Sequence, residues 1–139
     1  MKCLLAVLII GAVLATQGVP TVVICSAPGA ILTNLKYSIT PDDVVPGQNI
    51  TIAVSGDMSE KITDASLDLT ASFDTIPIYH KTLNLCTDIK CPIPAGPFAY
   101  KIDHQIPNIP IHGQVGAKAV ISSVTDNKQV VCVEVKVDI

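Results

Sequence analysis

Residues 65–73 read Ala65-Ser66-Leu67-Asp68-Leu69-Thr70-Ala71-Ser72-Phe73. Apolar side chains alternate with polar ones from end to end. Successive side chains of an extended chain point to opposite faces, so this run puts one face in a core and the other in water. The same period recurs on both sides. Upstream, Leu35, Tyr37 and Ile39 alternate with Lys36, Ser38 and Thr40, and Ile50, Ile52 and Val54 with Thr51, Ala53 and Ser55. Downstream, Phe98, Tyr100 and Ile102 alternate with Ala99, Lys101 and Asp103, and Val131, Val133, Val135 and Val137 with Cys132, Glu134, Lys136 and Asp138. Residues 76–85 and 115–124 read as strands less cleanly sorted by face. Turn residues separate the runs: Pro41-Asp42-Asp43, Pro46-Gly47, Ser55-Gly56-Asp57, Pro94-Ala95-Gly96-Pro97, His112-Gly113 and Thr125-Asp126-Asn127. The pattern predicts an all-β, immunoglobulin-like two-sheet antiparallel sandwich of about seven strands. No helical stripe exceeds two turns, and there is no repeat.

Composition agrees. Ten Pro residues lie between positions 20 and 110 of the 139, which disfavours a helix-rich fold. Nine Lys and no Arg face twelve Asp and Glu, so the chain lacks both the positive field and the bidentate forks of a nucleic-acid binder. Trp is absent and Phe and Tyr total five, so the interior is aliphatic and lacks the central Trp of an ordinary immunoglobulin core.

Residues 3–15, CLLAVLIIGAVLA, form an unbroken apolar stretch behind Lys2. It is short for a membrane span and suits the hydrophobic region of a signal peptide, with small residues after it for cleavage behind Ala15 or Gly18. The expected organisation is a signal peptide over 1–18 and one domain over 19–139. Four Cys then remain in an oxidising compartment: Cys25, Cys86, Cys91 and Cys132. Three pairings are open. Cys86–Cys91, closing the loop CTDIKC, with Cys25–Cys132 is the economical one. The spacing does not fit zinc, which would want a CxxC pair. Asn49-Ile50-Thr51 is an N-glycosylation sequon beside a turn, so Asn49 is a candidate glycan site.

The run Leu85-Cys86-Thr87-Asp88-Ile89-Lys90-Cys91-Pro92-Ile93, followed by Gly96, Phe98 and Tyr100, resembles the ML lipid-recognition family. That family includes small secreted Niemann-Pick type C sterol carriers and phosphatidylglycerol/phosphatidylinositol transfer proteins. An early Cys25, the Thr40-Pro41 turn, Pro46 to Ile52, the Pro-broken segment 106–111 and a late Cys132 follow in the family's order. The resemblance implies a sandwich with an apolar cavity between its sheets, one bound lipid, no covalent chemistry, and the same two disulfides. This chain departs from several members in lacking a further Cys pair near Thr40-Pro41-Asp42-Asp43.

The inward members of the alternating runs are the candidate lipid-binding residues: Val54, Leu67, Leu69, Phe73, Ile76 and Ile78, with Phe98, Tyr100, Ile102, Val120 and Val133. Pattern alone reads them as packed on one another; the resemblance implies that they line a cavity. The segment Ile106-Pro107-Asn108-Ile109-Pro110-Ile111 is apolar yet broken by Pro, which places Ile109 and Ile111 at a cavity mouth or membrane-touching rim, or in a loop packed on the sandwich. Lys81, Lys90 and Lys101 are candidates to meet an anionic headgroup. His80, His104 and His112 are candidates to titrate in an acidic compartment. Ordinary solvated surface side chains are the simpler account of either set.

No catalytic motif is present. Asp103 and His104 are adjacent, which in a strand sends them to opposite faces. The expected function is that of a secreted or lysosomal/endosomal lumenal carrier of one lipid, a phosphatidylglycerol/phosphatidylinositol or a sterol. It is not expected to be an enzyme and needs no cofactor or metal. The expected partners are the lipid, membranes touched transiently and a membrane-protein lipid acceptor, with no nucleic acid and a monomeric chain. The alternative is a small immunoglobulin-like surface interaction module with a solid core.

Overall fold

Alternation needs a partner strand on each side to become a sheet, and antiparallel pairing supplies it. A computed structural model describes residues 19–41, 45, 47–106, 108 and 112–139. The signal-peptide assignment for 1–18 and the rim assignment for Ile109 and Ile111 lie outside these residues. Eight strands form: β1 (Thr21–Ile24), β2 (Leu32–Thr40), β3 (Asn49–Met58), β4 (Ala65–Phe73), β5 (Ile76–Asn84), β6 (Gly96–Gln105), β7 (Gln114–Ser123) and β8 (Gln129–Asp138). A 3₁₀ turn, Leu85–Thr87, follows β5. The strands make two antiparallel sheets, one of five in the order β1-β8-β7-β4-β5 and one of three in the order β2-β3-β6.

The expected count of about seven becomes eight with the addition of β1. Its four residues, Thr-Val-Val-Ile, are too short to show alternation. They pair with β8, Val22 opposite Val135 and Ile24 opposite Val133. The Cys25–Cys132 disulfide fastens this edge, and the Cys25 amide donates to the Cys132 carbonyl at 2.9 Å. The bridge joins residues 107 apart, which constrains the unfolded chain by about 4–5 kcal/mol in the loop-entropy account. The second disulfide, Cys86–Cys91, closes the short loop after β5. There the Asn84 side chain accepts from the Cys86 amide at 3.0 Å and caps the 3₁₀ turn.

The interior is packed at its two ends. At one end Ile31, Leu32, Met58, Ile62, Leu85 and Ile93 join Leu67, Ile121 and Val131, each at most 6% exposed. Burying each such side chain contributes about 1.5–3 kcal/mol. An isolated bridge, Ile62 to Ile93, ties the β3–β4 connection to the β5–β6 connection there. At the other end a smaller cluster brings together Ile50, Ile106 and Val137. Between the two clusters the sheets do not fill the space.

Candidate functional site

The middle of the sandwich is hollow because of what the five-stranded sheet offers there. Cross-strand partners share a face, and the register sets Leu69 beside Ala119 and Ala71 beside Ala117. Three methyl groups therefore stand where larger side chains would reach across. The facing sheet supplies Ile39, Ile52, Val54 and Ile102. The resulting slot has a free volume of about 160 Å³. One water needs only about 10–15 Å³ on that scale, and the aliphatic lining gives water few partners. Ala117 shows that the slot is open. It lies in a central strand with its side chain toward the opposite sheet, yet it is exposed to solvent.

The sequence-derived candidates divide cleanly. Val54, Leu67, Leu69 and Ile78 line the slot, as do Phe98, Tyr100, Ile102 and Val133. Val120, Phe73 and Ile76 do not. Val120 sits between Ala119 and Ile121, which face the slot, so strand parity turns it to the outer face opposite Asp68 and Cys132. Phe73 lies at the end of β4, where its ring occupies the place that a Cβ on Gly113 would need, 2.4 Å from the ring's Cζ. Ile76 begins β5 beside the turn and is 65% exposed. Parity would have found several liners not singled out: Val131, Val135 and Val137 on β8, and Ala117 and Ala119 on β7.

Few polar groups reach the slot. Tyr100 lines it, and its hydroxyl donates to Asp88 Oδ2 at 3.3 Å, linking the slot wall to the disulfide loop. Partial burial and then the Asp88 carboxylate raise the Tyr100 pKa above the ordinary tyrosine value. His104 is an exposed side chain at the slot's edge, in register with Ile50. Lys81 pairs with Leu69 and so stands on the slot face of edge strand β5. The other candidates lie elsewhere. His80 is on the outer face with its Nε2 2.5 Å from Asp68 Oδ1. Lys101 is on the outer face of β6, opposite Ala53. Lys90 and His112 are exposed in connections.

A family model described as an ML domain matches residues 21–139. This chain belongs to the ML-domain family. A Dictyostelium discoideum protein provisionally named phosphatidylglycerol/phosphatidylinositol transfer protein 3 is 34% identical over 119 residues, covering 83% of this chain and 78% of that protein. The ML fold recurs in chicken MD-1 complexed with lipid IVa, with a TM-score of 0.64 at 16% identity, covering 86% of this chain and 88% of MD-1. It recurs in a Niemann-Pick type C2 protein from Japanese carpenter ant, with a TM-score of 0.60 at 13% identity, covering 74% of this chain and 88% of that one. The ML assignment and the slot together replace the solid-core reading, since this sandwich does not close on itself.

Proposed function

We propose that this chain carries one lipid at a time between membranes, holding its apolar part in the slot between the sheets. The observation that carries this reading is the exposure of Ala117 on the inner face of a central strand. An apolar interior surface that its own fold leaves uncovered is a site for an apolar ligand. Each buried CH₂ contributes about 0.8 kcal/mol, so an acyl chain binds firmly without polar contacts. The slot's 160 Å³ is below the roughly 300–1,000 Å³ of pockets that bury a drug-sized ligand. Uptake therefore widens it. The β5 and β6 edges allow this, because among the described residues β5 pairs only with β4 and β6 only with β3. The binding residues are the slot-lining candidates, and no residue acts as a catalyst.

The names of the relatives favour phosphatidylglycerol or phosphatidylinositol, with sterol as the other candidate. Two disulfides suit an oxidising compartment, so we place the carrier outside the cell or in the endosomal and lysosomal lumen after loss of residues 1–18. Asn49, exposed at the start of β3, is its glycan site. It works as a monomer that touches membranes transiently and passes its lipid to a bilayer or a membrane-protein acceptor.

The test is transfer of labelled phosphatidylglycerol, phosphatidylinositol and fluorescent sterol between vesicles at pH 5 and pH 7. Transfer of either phospholipid supports the first assignment, and transfer of sterol alone the second. Organic extraction of the purified protein, followed by mass spectrometry, identifies any lipid already aboard. The absence of both transfer and bound lipid overturns the carrier reading.

A further inference from the structure

Strand β5 is almost wholly solvent-exposed, and it carries large apolar side chains. Ile76, Ile78 and Tyr79 are 65%, 55% and 48% exposed. Elsewhere Tyr37 stands singly on β2, and edge strand β1 exposes the smaller pair Val23 and Ile24. Gathered apolar exposure on one element marks an interaction surface. Ile78 and Tyr79 also line the slot, so this surface runs without a break into the cavity mouth. A second copy of the chain is a poor occupant, because Pro77 and Lys81 on the edge obstruct strand-to-strand pairing.

The charges point to a bilayer. Lys81 makes no ion pair among the described residues, although the chain as a whole is acidic. The nearby carboxylates are engaged elsewhere: Asp68 with His80 on the outer face, and Asp74 with the Gln114 amide. A tyrosine beside two isoleucines and a free lysine is the composition of a membrane–water interface. The unpaired backbone groups of an edge strand need headgroups or water, which limits the depth of insertion.

We propose that the β5 edge, through Ile76, Ile78, Tyr79 and Lys81, docks on the headgroup region of an anionic bilayer and brings the slot mouth to the lipid. This rests on the carrier reading for its purpose, but it is tested separately. The chain contains no Trp, so Ile76→Trp is a background-free reporter. Its emission should shift to the blue with phosphatidylcholine vesicles containing phosphatidylglycerol, whereas Val23→Trp, at the opposite edge of the same sheet, should not shift. Ile76→Ser, at a position that does not line the slot, should weaken vesicle binding by about tenfold. Uptake of a monomeric fluorescent lysophospholipid, presented without vesicles, should be unchanged in that variant.

No shift at position 76, or an equal shift at 23, overturns the proposal. So does a concentration-dependent dimer of the unsubstituted chain that Ile76→Ser abolishes, since the edge would then meet a second copy. Should the unsubstituted protein dock but take up no lysophospholipid, the carrier reading falls and the docking surface stands.

Discussion

The side chain of Ala117 ends at one methyl, and the slot begins there. A phenyl group at this position would project into the slot and compete with a ligand for its volume. Ala117→Phe should therefore reduce lipid retained through purification by about tenfold, while the urea midpoint corresponds to a stability within about 1 kcal/mol of the parent. Quantitative mass spectrometry and urea unfolding check the two halves, and undiminished lipid in a folded variant would remove Ala117 from the site. Tyr100 carries a different prediction. Its pKa is raised in the folded state by burial and by Asp88, so the folded protein holds that proton more tightly than the unfolded chain. The resulting stabilisation is present below the unfolded value of about 10 and is lost as pH rises through the higher folded value. Unfolding midpoints measured from pH 8 to pH 12 should fall more steeply for the parent than for Tyr100→Phe. Of these two residues the sequence singled out Tyr100, from its place in an alternating run. Ala117 escaped notice because alanine shows no preference for a face until its neighbours are known.

The β4–β5 hairpin shows how an element tolerates local strain. Its turn residues Asp74 and Thr75 both have positive φ, 46° and 70°. This is the twist that a two-residue hairpin favours, but a β-branched residue enters that region at a cost. Asp74 is tied in place, since its carboxylate accepts from the Gln114 amide at 2.8 Å, whereas Thr75 is simply exposed. Thr75→Gly should stabilise the domain by about 1 kcal/mol in urea unfolding. An unchanged or lower midpoint would show that the turn relaxes without it. The hairpin also explains why residues 76–85 did not sort by face. A register shift between Ala71 and Ser72 interrupts the alternation, and an edge strand with little cover has no face that must be apolar. Strands β4 and β8 lie within the sheet, with neighbours on both sides, and their runs were legible from end to end.

As a whole, the molecule is a sandwich fastened at its ends and left open between them. Such a fold gains stability when its slot is filled, because ligand binds the folded state alone. Delipidated protein given free lipid at about 100 times its Kd should gain about 2.7 kcal/mol, or about 10 °C in Tm for a domain of this size. Differential scanning calorimetry with and without lipid measures it, and an unmoved Tm would count against a specific cavity. Much of this molecule is written locally. Alternation specifies which side chains face inward, and turn residues bound the strands. These features depend on neighbours in sequence, so the chain displays them directly. Where the inward side chains meet and where they fall short depends on how two sheets face one another. That relation joins residues distant in the chain, such as Ala71 and Ala117 with Ile52 and Ile102. Tertiary structure alone could leave the middle empty, turn Val120 outward and set the exposed face of β5 at the mouth of the slot.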